Sequence, residues 1–259
     1  MSKEWARVRR VVQEADVVVE VVDARDPYAT RSISFERLAK VLVKPLLIVI
    51  NKADLVPKQV LDEWKSVLEK EHPTIYLSVT KRLGTRRLWK AIKKLSSGRD
   101  YVTVAVVGLP NVGKSAVINL LKGRHSATTS PLPGYTKHPL TVKAATWLKV
   151  IDTPGVIPMG SEEELIVRGA LRPESLEDPV PAAMKLVEVA LSRDQEVFEK
   201  TYGITLKDPY GVLEELASRR GFLLKGGELN VEEAARALIR DWQSGKLVFY
   251  SKPSDYGLS

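Results

Sequence analysis

An eight-residue motif, Gly-Leu-Pro-Asn-Val-Gly-Lys-Ser at residues 108–115, restricts the possible folds of this chain more than any other feature. It matches the P-loop pattern. The apolar, β-branched run Val102–Val107 precedes it, and Ala116–Leu121 after it has the character of a helix. Because a strand–loop–helix unit of this kind turns backbone N–H groups inward around phosphate oxygens, the motif predicts a phosphate-binding α/β domain.

The same alternation extends over the first 171 residues. Short apolar runs rich in β-branched residues alternate with amphipathic segments, which is the pattern of a parallel sheet covered by helices. We therefore expect a doubly wound α/β fold. The predicted strands are Val17–Val22, Pro45–Ile50, Ile75–Ser78, Val102–Val107 and Leu148–Ile151.

Residues 172–181 are rich in proline and acidic side chains, which favours a linker. We therefore expect the α/β domain to occupy residues 1–171 and a second domain to occupy residues 182–259. Apolar positions in the second domain follow helical spacing, apart from a strand-like run at Leu247–Tyr250, so a small all-helical domain is expected. Asn230 and Gly245 are the predicted N-cap and C-cap of its last helix.

The distribution of charge favours a polyanionic partner for the first domain. The net charge is +8, and residues 1–171 carry 28 Lys and Arg against 17 Asp and Glu, whereas residues 172–259 carry 12 against 15. Cysteine is absent, which excludes disulfides and thiolate metal sites. No run approaches the roughly 20 apolar residues of a membrane span, so a cytoplasmic protein without a membrane partner is expected. We also expect a monomer.

Two motifs point to a phosphate and Mg²⁺ site. In the P-loop, Lys114 is expected to reach the β- and γ-phosphates, and the hydroxyl of Ser115 to ligate Mg²⁺. In the Asp-Thr-Pro-Gly motif at residues 152–155, Asp152 would hold Mg²⁺ through water and Gly155 would offer its N–H group to the γ-phosphate. Thr136 is the candidate switch threonine that completes the Mg²⁺ shell.

Two further motifs point to a guanine base. Asn51-Lys52-Ala53-Asp54 comes at the end of a predicted strand. Asp54 can accept hydrogen bonds from both the N1 and N2 donors of guanine, a pair that adenine lacks. Lys52 would lie over the ring, and Asn51 would hold the loop together. Ser78 and Val79 are the candidates for a second base-contacting loop, so GTP and GDP are the predicted ligands.

The order of these motifs is permuted. In ordinary G proteins the P-loop comes first and the two base motifs last, whereas here the base motifs precede the P-loop. Together with Asp-Ala-Arg-Asp-Pro at residues 23–27, this order resembles that of the circularly permuted GTPases of the YlqF/RbgA type. Residues 226–247 are similar to the helical RNA-binding domain of that family.

The resemblance implies a P-loop NTPase G domain that hydrolyses GTP with Mg²⁺ and acts in assembly of the large ribosomal subunit through rRNA contacts. It also implies slow intrinsic turnover that the ribosomal particle and K⁺ stimulate, with Asn111 helping to hold K⁺. The contacts it implies are Asn51, Lys52, Ala53, Asp54, Ser78, Val79, Asn111, Val112, Gly113, Lys114, Ser115, Ala116, Thr136, Asp152 and Gly155. The alternative is a regulatory guanine-nucleotide switch that binds a protein effector without RNA.

The sequence departs from the family pattern at two points. Many bacterial members have a Trp-Phe-Pro-Gly-His-Met motif, and residues 1–10 contain no such histidine. Val156 stands where Ras-like proteins place a water-orienting glutamine. The predicted catalytic groups are therefore Lys114, Asn111 and Thr136, which act on phosphoryl charge. The group that activates water stays open, with His138 as one candidate.

A cluster of cations lies between residues 81 and 99, with no acidic residue between Glu71 and Asp100. If residues 85–96 form a helix, four of these cations share its outer side, namely Arg86, Lys90, Lys93 and Lys94. Contact with RNA phosphates is the hypothesis, and a solubilising surface is the alternative. In the second domain the candidate RNA contacts are Arg219, Arg220, Arg236, Arg240 and Lys246.

Overall fold

The computed structural model describes residues 3–123, 141–145, 147–153 and 159–258. The chain divides into two compact units, one formed by residues 1–157 with 252–259 and the other by residues 158–251. The division therefore comes earlier than the expected boundary at 172–181, and the last residues return to the first unit. The expected linker is not free, because its Leu176 is buried in the core of the second unit.

Among the described residues, six strands form one sheet in the first unit. They are β1 (Val17–Asp23), β2 (Leu46–Asn51), β3 (Thr74–Tyr76), β4 (Val102–Val107), β5 (Thr141–Ala145) and β6 (Leu148–Asp152). Their order is β3-β2-β1-β4-β6-β5, and all pairs are parallel except β5 with β6. All five predicted strands are present with small shifts at their ends, and β5 is an additional edge strand.

Helices cover this sheet on both faces. They are α1 (Lys3–Glu14), α2 (Pro27–Thr30), α3 (Ile33–Val41), α4 (Lys58–Glu69), α5 (Thr85–Leu95) and α6 (Lys114–Leu121). Leu88 of α5 and Val117 of α6 share a core cluster with Val19 of β1. Glu20, the next residue of β1, points to the opposite face, where it accepts a hydrogen bond of 2.6 Å from the N–H group of Ser32, just before α3. The doubly wound α/β fold is confirmed.

The second unit is helical in its described residues. It contains α7 (Glu162–Val167), α8 (Val180–Arg193), α9 (Val197–Tyr202), α10 (Pro209–Arg220) and α11 (Val231–Ser244). The predicted caps of α11 are present: the side chain of Asn230 accepts a hydrogen bond from the N–H group of Glu233 at 3.0 Å, and Gly245 has φ +83°. The strand-like run at Leu247–Tyr250 does not form a strand, because its apolar side chains pack onto helices; Phe249 stacks on Trp242 with ring centroids 4.1 Å apart.

The C-terminal segment packs within the first unit. Its 3₁₀ turn, Pro253–Tyr256, places the Tyr256 hydroxyl so that it donates to the Asp26 carboxylate at 2.6 Å. The Tyr256 ring lies against Tyr28 and Trp64, with centroids 4.5 and 6.0 Å away. None of the helices in the described part of the chain combines the length and the apolar character that crossing a membrane requires.

Candidate nucleotide-binding site

The phosphate loop connects β4 to α6 through left-handed backbone conformations. The φ angles are +141° at Gly108, +61° at Asn111 and +97° at Gly113. A Cβ atom on Gly108 would lie 2.4 Å from the carbonyl oxygen of Val21, and one on Gly113 would lie 2.1 Å from Nδ2 of Asn51. Both glycines are therefore required by conformation and by packing against the ends of β1 and β2. A loop of this form can present backbone N–H groups to an anion.

Asn51 joins the predicted base motif to the phosphate loop. It ends β2 and is 4% exposed, and its Nδ2 donates to the carbonyl oxygen of Val112 at 3.0 Å. The two residues are 61 positions apart in the sequence. Because β2 and β4 flank β1 in parallel, their carboxyl ends lie at one edge of the sheet. The structure therefore brings the two predicted motifs together.

Lys114 begins α6 with its ammonium group turned into the phosphate loop. Its Nζ donates to the carbonyl oxygen of Leu109 at 2.6 Å, the one hydrogen bond that this ammonium makes to the described residues. Burial lowers the pKa of Lys114 to about 8, although Asp152 acts in the opposite direction. An enclosed cation whose hydrogen-bond partner is a neutral carbonyl favours binding of an anion, and phosphate fits this requirement.

The predicted Mg²⁺ ligands stand on neighbouring elements. Asp152 is the last residue of β6, pairs in register with Val106 of β4 and is 8% exposed. Thr153 follows, and its hydroxyl donates to the carbonyl oxygen of Val106 at 2.6 Å, which fixes the exit of the chain from the sheet. Ser115 is exposed in the first turn of α6. A carboxylate and a hydroxyl are oxygen donors of the kind that Mg²⁺ prefers, so these residues fit the ion.

The base motif ends β2 in a strained turn. Lys52 has φ +63°, and the N–H group of Ala53 donates to the carbonyl oxygen of Leu77 at 3.1 Å. This bond places the motif beside the segment after β3. Asp54 is exposed in the 3₁₀ turn Ala53–Leu55, where its carboxylate is accessible to a ligand. Ser78 is buried, and its hydroxyl oxygen accepts a hydrogen bond of 3.0 Å from the N–H group of Lys81, which closes the second predicted base loop.

Several predicted site residues have no described position. Thr136, His138, Gly155 and Val156 lie outside the described residues, and their assigned roles remain predictions. Val112 is buried and Ala116 is partly buried in the first turn of α6, whereas Val79 is partly buried after Ser78.

Sequence reasoning gave no role to the charged turn after β1. Asp23 is 5% exposed, and its carboxylate accepts hydrogen bonds from Arg25 Nε at 3.0 Å and from Arg25 Nη2 at 2.8 Å. The same carboxylate pairs with Lys52 Nζ at 2.8 Å. Burial alone would raise the pKa of Asp23, but Arg25 and Lys52 together hold it well below its usual range. Asp23 is therefore an anion in contact with the base motif.

The known proteins that resemble this chain are described as GTPases or GTP-binding proteins, which agrees with the geometry of a nucleotide site. The model of a family described as 50S ribosome-binding GTPase matches residues 103–214. An uncharacterized GTP-binding protein of Methanocaldococcus jannaschii is 38% identical over 246 residues, which are 94% of this chain and 65% of that protein. Nucleolar GTP-binding protein 2 of Saccharomyces cerevisiae is 34% identical over 265 residues, covering 97% of this chain and 53% of that protein.

This chain thus spans less than two thirds of the length of these curated relatives. GNP-bound YlqF of T. maritima, a solved structure, superposes with a TM-score of 0.69 at 26% identity and covers 97% of this chain and 99% of the YlqF chain. Its GDP-bound structure gives a TM-score of 0.67. The fold, the order of the motifs and these relatives together show that the chain belongs to the family of circularly permuted GTPases that includes YlqF.

Proposed function

We propose that this protein binds GTP and GDP with Mg²⁺, hydrolyses GTP, and acts in assembly of the large ribosomal subunit through contacts with rRNA. The observation that carries the nucleotide part is the hydrogen bond from Asn51 to Val112, which joins a guanine-type motif to a phosphate loop. The relatives named as nucleolar GTP-binding proteins and the 50S ribosome-binding family model support the ribosomal part.

The proposed chemistry relies on charge neutralisation. Lys114, at the mouth of the phosphate loop, would bind the β- and γ-phosphates, and its lowered pKa would rise on contact with them. Ser115, Asp152 and Thr136 are the proposed Mg²⁺ ligands, and bound Mg²⁺ would stabilise negative charge on the phosphates. Asn111 is the proposed K⁺ ligand. Lys114, Asn111 and Thr136 together would stabilise charge on the transferring phosphoryl group.

The outer face of α5 is the proposed rRNA surface of the first unit. Arg86, Lys90, Lys93 and Lys94 are exposed, and within the described residues none of them forms an ion pair. Leu88 and Ile92 are buried on the inner side, so the cations are directed outward. This face can therefore contact phosphates without first breaking an internal pair.

The placement of Arg86 supports a ligand-binding role. It lies in the first turn of α5, where the helix dipole disfavours a cation, and that turn has no acidic residue and no side-chain cap. Lys93 and Lys94 lie in the last turn, where a cation is favoured. Helix stability therefore accounts for the two lysines and not for Arg86, whereas binding to a polyanion accounts for all three.

Phosphate release from GTP and from xanthosine triphosphate, with large ribosomal subunits and K⁺ present, tests the proposed function. The wild type is expected to use GTP, faster with subunits than without. In Asp54→Asn the GTP preference should fall roughly 100-fold or more, because the side chain can no longer accept from both guanine donors. Use of the xanthine nucleotide should increase, since xanthine has a carbonyl acceptor where guanine has an amine.

Two outcomes would contradict parts of the proposal. An Asp54→Asn protein that keeps the wild-type preference for GTP would remove the assigned base contact. A wild type that binds GTP but neither associates with large subunits nor responds to them would favour a switch for a protein effector. Sedimentation of the protein with large subunits, once with GDP bound and once with a non-hydrolysable GTP analogue bound, distinguishes the proposed assembly function from the switch for a protein effector.

A further inference from the structure

The turn after β1 meets the base motif through backbone and side-chain contacts. Asp23 and Asn51 are register partners at the ends of β1 and β2, and the N–H group of Ala24 donates to the carbonyl oxygen of Asn51 at 2.8 Å. The Asp23 carboxylate also forms an ion pair with Lys52, the residue after Asn51, and its oxygen lies 2.8 Å from Lys52 Nζ. The Lys52 side chain is 21% exposed and that of Asp23 is 8% exposed, so this pair is largely shielded from water.

The position of the Asp23 carboxylate is itself fixed by several bonds. Arg25 holds it in a bidentate pair, and the N–H group of Arg25 donates a third bond of 3.0 Å to the same carboxylate. The N–H group of Asp23 donates to the Thr30 hydroxyl at 2.9 Å, and that hydroxyl donates to the Asp26 carbonyl oxygen at 2.6 Å. Because these bonds restrict the Asp23 carboxylate, they also restrict the Lys52 ammonium group that pairs with it.

We propose that Asp23, oriented by Arg25, is a positioning residue that holds the Lys52 side chain in the conformation needed to cover the guanine base. This inference rests on the proposed function, since it assumes that the base lies against Lys52. A lysine side chain loses substantial rotamer freedom when a ligand orders it. Asp23 orders the Lys52 side chain before the nucleotide binds. Nucleotide binding therefore costs less side-chain entropy.

A double-mutant cycle on the full chain tests this role. The dissociation constant of a fluorescent GDP derivative would be measured for the wild type, Asp23→Asn, Lys52→Met and the double variant. Asp23→Asn keeps the size of the side chain but removes the charge, and we expect it to weaken binding about tenfold. In the Lys52→Met background the same change should weaken binding less than twofold, since Asp23 would act through Lys52.

Equal losses in both backgrounds would overturn the inference. If the wild type itself did not bind GDP, the proposed function would be refuted together with the inference. The two failures are therefore distinguishable. Asp62→Asn is the matched control: this exposed acid on α4 accepts from the Tyr76 hydroxyl at 2.9 Å, and its replacement should leave GDP affinity unchanged.

A second variant covers the case in which Asp23→Asn fails to fold, which the unfolding temperature without nucleotide would reveal. Arg25→Lys keeps the positive charge but loses the bidentate pair with Asp23. In an otherwise wild-type chain, Arg25→Lys is expected to weaken GDP binding about threefold. In the Lys52→Met background it is expected to have no effect. A threefold loss that persists in that background would again overturn the inference.

Discussion

The cations of α5 and those of the second unit are similar in number but differ in their partners. Along α5, Arg86, Lys90, Lys93 and Lys94 form no ion pair with the described residues. In the second unit, Arg220 and Lys246 pair with Asp241 at 2.5 and 3.5 Å, and Arg219 pairs with Glu215 at 2.7 Å. A polyanion that approached the second group would have to compete with carboxylates already in place.

Two arginines of the second unit also have structural roles. Arg236 donates to the carbonyl oxygens of Pro173 and Leu176, at 2.7 and 3.2 Å. Arg240 donates to the carboxylates of Glu174 and Glu233, at 2.8 and 2.9 Å. All five predicted RNA contacts of the second unit are therefore engaged within the protein. The two groups of cations therefore differ in availability, which the sequence alone does not show.

The strongest test of this difference reverses the charge on α5. The triple variant Arg86→Glu, Lys90→Glu and Lys94→Glu should bind large ribosomal subunits roughly 100-fold to 1,000-fold more weakly, because phosphate contacts would be replaced by repulsion. The slope of log affinity against log salt concentration should decrease in magnitude by about 2 to 3. Sedimentation with large subunits at several salt concentrations gives both quantities.

Nucleotide binding provides the control for this triple variant. The three side chains are exposed and make no described contact with the phosphate loop or the base motif, so GDP affinity should not change. Unchanged affinity for subunits together with an unchanged salt dependence would exclude α5 as an rRNA surface.

A pair of single lysine variants makes the comparison finer. Lys90→Gln should weaken subunit binding about threefold to fivefold, since it removes one phosphate contact. Lys246→Gln should change it less than twofold, because Lys246 pairs with Asp241 and lies 5.7 Å from the centroid of the Tyr202 ring. The two changes are chemically identical, so equal effects would mean that internal pairing does not determine which cations bind RNA.

The main elements of the fold were predictable because their signals are local. Strands such as β4 are buried on both faces and appear in the sequence as unbroken apolar runs. Asn230 caps α11 through a residue three positions away. In contrast, β5 (Thr141–Ala145) is an antiparallel edge strand without such a run, and nothing local indicates it. The linker prediction failed because Pro173 and Leu176 are buried, which depends on tertiary packing.

The candidate site was predictable as a set of motifs but not as a network. The P-loop and the base motif are each contiguous, so spacing alone identifies them. The contact between Asp23 and Lys52 depends on the register of β1 with β2, which the sequence does not specify. The pair of Arg240 with Glu174 spans 66 residues and is likewise set by tertiary packing. The sequence therefore predicts the motifs of the site, whereas the contacts between distant residues depend on tertiary packing.

The smallest effect on RNA binding is expected for Arg240→Gln. Subunit affinity should stay within twofold of the wild type, because Arg240 is engaged with Glu174 and Glu233. The variant should instead lose about 1 kcal/mol of unfolding free energy at neutral pH, the range for pairs that are about half exposed. Urea unfolding of the wild type and the variant measures this loss. A marked fall in subunit affinity without loss of stability would contradict the assignment.

The pH dependence of that stability loss identifies its source. Burial raises the pKa of Glu174, but hydrogen bonding and charge attraction to Arg240, a backbone hydrogen bond and the charge of Arg172 together lower the pKa below its ordinary value. A carboxylate with a lowered pKa stabilises the fold above its unfolded pKa, and this stability is lost as the pH falls through the lowered value. The difference between wild type and Arg240→Gln should therefore shrink on acidification. A difference that stayed constant into the acidic range would mean that Arg240 stabilises the unit through packing of its methylene groups and not through its charge.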